Sequence, residues 1–303
     1  MLSLVLFIVL GALALTQARD DETMAMNFLN QYHYLSTSRS GNHDVDSAIR
    51  HFQRFAGLKV TGRLDSATIR QMKKPRCGMP DDAAGSDRVR RYKTGSKWRK
   101  TRLTYYIQFG RDLPQGTQER IFQKALQYWA DVSALSFSRT NSPERADLKI
   151  SFGYNSHGGV RGERRCGYPF DGAGKVLAHA FFPQDGRAHF DEAETYTDGT
   201  SRGTNLLWVA THEFGHALGL DHSDVRDAIM YPYYTGYVPN MRLHSDDIAG
   251  IQYLYGYGNG GGANGGGGGG FCEDGNPQCN LWGYLCYEND YVIANCKKTC
   301  GRC

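Results

Sequence analysis

The chain has 303 residues, too many for one small domain, and reads as two or three folded units. Its net charge of +4 is spread along the chain, which gives little reason to expect a polyanion, so nucleic acid is not an expected partner. Eight cysteines, six of them crowded into residues 272–303, argue against a reducing compartment.

Residues 2–15 form an apolar run that ends in Thr16-Gln17-Ala18, with small residues at the −3 and −1 positions before Arg19. Residues 1–18 read as a signal peptide, too short to span a bilayer, although the start lacks the usual positive charge. No later segment is apolar enough to cross a membrane, so a secreted chain without a transmembrane segment is expected. No Asn-x-Ser/Thr acceptor is present, Asn141-Ser142 being followed by Pro143, so N-glycosylation is not predicted.

Residues 19–91 read as a small helical unit. Ala48 to Phe55 and Asp65 to Met72 have helical periodicity, and Val60 to Asp65 between them is a turn that leads into an Asp65 N-cap. Pro75-Arg76-Cys77-Gly78-Met79-Pro80-Asp81 follows, and its cysteine could serve as a strong thiolate ligand for zinc. A free buried cysteine, or a partner for another thiol, is the plainer reading. Arg88-Val89-Arg90-Arg91 has the Arg-x-Arg-Arg spacing of a furin-type site cut after Arg91; a solvated basic loop is the alternative.

Residues 92–257 form the next region. Leu103 to Phe109, Leu148 to Phe152 and Val176 to Phe182 read as strands, and 116–132 as an amphipathic helix with Ile121, Leu126 and Trp129 turned inward. Asn205 to Leu218 reads as a helix, and Ser245 is expected to cap a last one with Asp246 and Asp247 behind it.

The helix from Asn205 carries the chemistry. In His212-Glu213-Phe214-Gly215-His216-Ala217-Leu218-Gly219-Leu220-Asp221-His222, the first two histidines are four apart and project from one face. Gly219 can take the positive φ that ends a helix and brings His222 back as a third ligand. Three nitrogens leave a tetrahedral zinc one open position, the catalytic arrangement, and Glu213 stands where it can take a proton from water. A core helix that happens to carry two histidines does not explain the third in register. Met230 follows eight residues after His222.

Gly258 to Gly270 is almost pure glycine and reads as a flexible tether. The last unit, 271–303, has cysteines at 272, 279, 286, 296, 300 and 303, a disulfide framework in place of a core. Six cysteines allow fifteen pairings, and spacing alone does not choose among them.

Met230, inside Ala228-Ile229-Met230-Tyr231-Pro232-Tyr233-Tyr234, looks like the Met-turn under the three histidines of metzincins. With His222-Ser223 before it, the stretch resembles the matrix metalloproteinases (matrixins). Pro75 to Asp81 resembles their cysteine switch, with Met79 where valine is more common, and there Arg76 and Asp81 pair to hold the loop. The helical unit resembles the peptidoglycan-binding-like fold of matrixin pro-domains, and the C-terminal unit resembles the ShK-toxin-like (ShKT) domain. The ShKT resemblance implies the pairs 272–303, 279–296 and 286–300. Channel-blocking members use a Lys-Tyr pair between the third and fourth cysteines; residues 287–295 contain no lysine, so a docking or spacer module is expected.

The matrixin resemblance implies an α+β zinc-protease domain over 92–257, preceded by an all-α pro-domain and followed by a disulfide-rich mini-domain without a hemopexin-like domain. It implies a zymogen cleaved by a furin-type protease, extracellular-matrix protein substrates, and inhibitors of the tissue-inhibitor type. After cleavage, the new amino terminus at Tyr92 is expected to pair with Asp246 or Asp247. Val209 and Pro232 to Tyr234 are expected to line the pocket for the residue after the scissile bond, its depth set by Thr235 to Leu243. It also implies a structural zinc on His157, His179 and His189, and calcium on the carboxylates of Asp171, Asp191 and Glu194 with the carbonyls of Gly172, Gly174 and Val176. Here the chain departs from the family. The pattern His-Gly-Asp reads His157-Gly158-Gly159, and at the family aspartate's distance before Asp171 stands Cys166. Cys166 is expected to replace the missing aspartate as a zinc ligand, with the insertion Val160 to Arg165 bulging outward. An intermolecular disulfide, or a site completed by Glu163 or water, is the competing reading. A toxin or binding protein with the C-terminal unit as effector is the rival from another class; the intact Glu213 and the absent lysine speak against it.

Overall fold

The computed structural model describes residues 2–35, 44–81, 94–160 and 165–257, with 2–15 by their backbone alone, and also Cys279, Cys296 and Thr299. The basic run ending at Arg91, the tether 258–270 and most of the cysteine-rich segment lie outside these residues. The chain divides into a unit Met1–Gly258 and a unit Asn259–Cys303. In the second, Cys279 and Cys296 form a disulfide, one of the three pairs the ShKT resemblance implies. The other four cysteines of that unit are outside the described residues.

The first unit opens with α1 (Leu2–Gln31), a helix that runs unbroken past the expected cleavage point at Ala18. Among the described residues no helix is long and apolar enough to cross a membrane. Next come α2 (Val45–Phe55) and α3 (Ser66–Met72), where the periodicity placed them. Asp65 caps α3 as expected, accepting from the Thr68 N–H at 2.9 Å. Phe28, Leu29, Tyr32 and Tyr34 at the end of α1 pack on Ile49, Phe52, Phe55 and Met72. Phe28 and Phe52 meet edge-on, their ring centres 5.1 Å apart. The fully buried Gln53 holds the α2–α3 turn: its Oε1 accepts from the N–H groups of Thr61 (2.8 Å) and Gly62 (2.9 Å), and its Nε2 donates to Thr68 Oγ1 at 2.8 Å. A buried amide is tolerated only when its hydrogen bonds are met.

A six-stranded sheet follows. Its members are β1 (Arg76–Cys77), β2 (Arg102–Ile107), β3 (Ser136–Arg139), β4 (Leu148–Gly153), β5 (Val176–Ala180) and β6 (Arg187–Asp191), in the order β1-β5-β6-β4-β2-β3. β5 runs antiparallel to β6, and the other neighbours are parallel. β2 alternates buried and open positions, the signature of a strand with one face on a core. A short pair, β7 (Tyr196–Thr197) and β8 (Thr204–Asn205), leads into α5 (Leu206–Leu218). Between the sheet and the helices α4 (Gln115–Asp131) and α5 lie Phe122, Trp129, Ile150, Phe190 and Phe214. Each such side chain contributes about 1.5–3 kcal/mol by leaving water. Trp129 also ties the two helices, its indole N–H donating to the Thr211 carbonyl at 3.0 Å.

The last helix, α6 (Ser245–Tyr255), corrects one expectation. His244, not Ser245, is the cap: its Nδ1 accepts from the Asp246 N–H at 3.1 Å, and its own N–H donates to Asp247 Oδ2 at 2.8 Å. An imidazole lone pair does the work expected of the serine hydroxyl, and Ser245 becomes the first helical residue.

Candidate active site and metal centres

Asn205 caps α5 by accepting from the Trp208 N–H at 3.0 Å, and the helix is buried along almost its whole length. His212 and His216 sit one turn apart on it, ring centres 4.9 Å apart. Gly219 closes the helix at φ +107°; a Cβ there would stand 2.2 Å from the Ser96 carbonyl oxygen, so only glycine fits. The turn it makes delivers His222 to 5.3 Å from the His212 ring and 4.6 Å from the His216 ring. Backbone carbonyls set the tautomers: His212 Nδ1 donates to Ile229 O at 2.6 Å, and His216 Nδ1 to Leu220 O at 2.7 Å. Each Nε2 therefore carries a lone pair. The Nε2 atoms of all three histidines are buried without a hydrogen-bond partner. Burial and the neighbouring imidazoles push His212 down to about 3 and His216 well below the usual range, so both are neutral. Buried lone pairs that face one another are costly unless something electrophilic sits among them, and a zinc ion fits that set.

Met230 packs under this helix. A Cβ on Gly215 would come 2.2 Å from Met230 Sδ, so the glycine inside the motif leaves room for the methionine. The turn that carries it is held by Asp247, whose carboxylate accepts from the N–H groups of Ile229 (2.8 Å) and Met230 (3.0 Å). Asp247 thus serves both that turn and the α6 cap, while Asp246 accepts from Ser223 Oγ at 2.8 Å.

Cys77 reaches the centre from the helical unit. Its Sγ and the ligand atoms of His212, His216 and His222 all lie within 4.8 Å of one another. Its thiol also lies beside the carboxyl of Glu213, which burial raises to about 8 and the thiol contact pulls back. The strand holding Cys77 is wedged between β5 and the Met230 segment. Arg76 and Gly78 donate N–H bonds to Lys175 O and Ala178 O, both at 2.8 Å; Cys77 donates to Pro232 O at 2.9 Å, and Tyr234 donates to Pro75 O at 3.0 Å. Gly78 is needed for this approach, because a Cβ would stand 2.7 Å from Val176 Cγ1.

Arg76 and Asp81 pair as expected, at 2.9 and 2.5 Å, with both side chains buried. The arginine holds the Asp81 carboxyl well below the usual carboxylate range against its burial. Two further contacts of this pair, and one elsewhere on the helical unit, have no signal in the sequence. Tyr32 lies under the Arg76 guanidinium with its ring centre 3.6 Å away, Tyr34 donates its hydroxyl to Asp81 Oδ2 at 2.6 Å, and Arg226 donates to Ala56 O and Gly57 O at 2.7 and 2.8 Å. The tyrosines lie at and just beyond the end of α1, where helical spacing marks a buried face (Ala25, Phe28, Leu29, Tyr32) but not what that face meets, and nothing local marks Arg226 as a contact across the chain.

A second cluster forms beside β5 and β6. His157, Cys166, His179 and His189 are all buried, and their ligand atoms lie within 4.8 Å of one another. These are the only two such clusters among the described residues. Burial, with the neighbouring imidazoles, holds His179 well below the usual range and lowers His189 to about 3. One detail of the insertion differs from expectation: Val160 is buried rather than bulging outward, while Arg165 is exposed.

Asp171, Asp191 and Glu194 gather less tightly around the glycine turn before β5. Glu194 Oε1 accepts from the Gly174 N–H at 2.5 Å, Asp171 Oδ1 accepts from the Val176 N–H at 3.1 Å, and Asp191 Oδ2 is buried without a partner. Burial raises Asp191 and Glu194, and nearby carboxylates raise them further. Mutually repelling acids with an unmet oxygen fit a hard cation such as calcium.

Comparison with known proteins agrees with this geometry. The family model for matrixin matches residues 97–256, a putative peptidoglycan binding domain model matches 23–72, and an ShK domain-like model matches 271–303. The chain is 47% identical over 225 residues to the hatching enzyme of Paracentrotus lividus, covering 73% of this chain and 36% of that protein. It is 42% identical over 241 residues to human matrix metalloproteinase-19, covering 78% and 46% respectively. With human matrilysin it shares 41% over 237 residues, covering 77% of this chain and 84% of that one. The chain thus spans less than half the length of the first two relatives and most of the third. It belongs to the matrixin family of zinc metalloendopeptidases and carries a C-terminal ShK-like domain.

Proposed function

We propose that the chain is a secreted endopeptidase made as a latent zymogen and acting on extracellular proteins. In this reading 1–18 is the signal peptide, 19–91 the pro-domain, 92–257 the catalytic domain, 258–270 the tether and 271–303 a docking or spacer module. The observation that carries it is the set of three buried, unpartnered Nε2 atoms facing the Cys77 thiol. His212, His216 and His222 would hold the catalytic zinc, with the Cys77 thiolate as a further ligand in the latent form.

Zinc, when bound, supplies a Lewis acid that acidifies water and polarises the substrate carbonyl. Glu213, buried and next to His212, accepts the proton of the attacking water and passes it to the leaving amine. His212 and His216 are fixed as neutral donors by the carbonyls of Ile229 and Leu220. The Pro75–Gly78 strand lies along β5 and against Pro232 to Tyr234, where an extended substrate would add its own main-chain bonds. Latency follows from occupation of the same groove.

Activation by a furin-type cut after Arg91 removes that strand, and Asp246 rather than the fully engaged Asp247 is the acid left to pair with the new amino terminus at Tyr92. His157, His179 and His189 hold a second zinc, and Asp171, Asp191 and Glu194 a calcium ion with carbonyls of Gly172, Gly174 and Val176. Protein inhibitors of the tissue-inhibitor type are expected to close the activated site. The test is metal content and peptide hydrolysis of the purified chain before and after cutting at Arg91. Two zincs per chain and activity only after the cut are expected; a cut, zinc-loaded chain without activity overturns the reading.

A further inference from the structure

The second cluster has a ligand set of its own. Cys166 Sγ lies 3.2 Å from His179 Nε2, which lies 3.2 Å from His189 Nδ1, which in turn lies 3.1 Å from His157 Nε2. Around a tetrahedral zinc with Zn–N about 2.0–2.1 Å and Zn–S about 2.3 Å, ligand atoms stand roughly 3.3–3.6 Å apart. The four atoms are therefore already close to the spacing an ion requires.

The inward lone pair of His157 is fixed by its other nitrogen, since Nδ1 donates to Asn155 O at 2.9 Å. Its ring is held flat against Phe170, centres 4.4 Å apart. The backbone delivers the sulfur: Cys166 N–H donates to His157 O at 2.7 Å, and Gly158 bridges Arg165. These contacts hold Gly158 against Arg165 and bring their neighbours His157 and Cys166 together. Cys166 is only 5% exposed, which disfavours a disulfide to another molecule. The buried Asp191, two residues along β6 from His189, does not belong to the cluster, so it does not supply a fourth ligand there.

We propose that Cys166 binds the second metal as a thiolate, making that centre a closed site of three imidazoles and one sulfur. The proposal rests on the reading of His157, His179 and His189 as a metal site. A thiolate is a soft ligand well suited to zinc and gives this centre a spectroscopic mark that an imidazole–carboxylate site lacks.

Cobalt(II) tests it. In the full chain Cys77 adds a sulfur ligand at the other centre, so the cobalt-loaded Cys77→Ser chain is compared with the Cys77→Ser/Cys166→Asp chain, in which a carboxylate can still bind metal. The expected result is two cobalt ions in each, with a sulfur-to-cobalt charge-transfer band in the first and none in the second. Two ions and no such band in the Cys77→Ser chain overturn the Cys166 assignment and leave the three-histidine site standing. One ion per chain overturns the three-histidine site itself. Alkylation of the zinc-loaded parent chain needs no variant: Cys166 should stay unmodified until a zinc chelator is added, and its ready alkylation with both zincs bound overturns the assignment.

Discussion

Asp81 Oδ1 stands 2.8 Å from Nδ1 of His222, while the same carboxylate neutralises Arg76. One acid of the helical unit thus holds Arg76 beside Cys77 and touches the third imidazole of the His212–His216–His222 cluster. Removing one partner of a buried ion pair leaves an uncompensated charge, at a cost of about 3–5 kcal/mol. Asp81→Asn should therefore loosen the pro-segment: uncut protein should gain peptidase activity, and Cys77 should react with thiol reagents at least tenfold faster. Parental latency and thiol reactivity in that variant would show that the pair does not hold the loop.

Arg226 should be a latch of the latent form alone. Its guanidinium donates to the carbonyls of Ala56 and Gly57 at the end of α2. Such charge-assisted bonds at a partly exposed site contribute about 1 kcal/mol. Arg226→Ala should speed mercurial activation several-fold and leave the kcat/KM of the cut enzyme unchanged. A change confined to the cut enzyme would place Arg226 in the substrate site instead.

Gly219→Ala should be among the most damaging single changes. The αL backbone costs a non-glycine residue about 1–2 kcal/mol, and the contact with Ser96 O adds to it. Urea unfolding should show a loss of at least about 2 kcal/mol, and His222, displaced, should release catalytic zinc more readily. Unchanged stability and zinc retention would contradict the turn's assigned role.

Calcium should stabilise the fold by relieving the repulsion among Asp171, Asp191 and Glu194. At calcium near a hundred times its dissociation constant, the gain should be about 2.7 kcal/mol, read as a rise in the unfolding midpoint. Asp191→Asn should abolish most of that rise. A midpoint indifferent to calcium in the parent chain would remove the ion from the account.

What the sequence made legible was whatever short-range pattern carries. The His212–His222 spacing, the Asp65 cap and the α4 stripe of Ile121, Leu126 and Trp129 all appear in the structure where local rules put them. Strand β6 is hard to read because Arg187 to Asp191 mixes charges with a histidine; it is a strand because it pairs with β4 on one side and β5 on the other, a tertiary fact. His244 is not the cap the sequence leads one to expect, because serine is the commoner choice. The Tyr32–Arg76 and Arg226–Gly57 contacts join segments far apart in the chain, and no periodicity reports such pairings. Cys166 stands out in the sequence only because Gly159 takes the place of the family's aspartate.

The most direct measurement is hydrolysis of a quenched peptide by uncut Cys77→Ser protein, alongside the Cys77→Ser/Glu213→Ala protein, with zinc content determined for both. The single variant should cleave without any cut at Arg91 and stop when zinc is chelated. The double variant should keep its zinc and lose about 10²–10⁴-fold in rate. An uncut Cys77→Ser protein as silent as the parent, or a double variant as fast as the single one, would contradict the account.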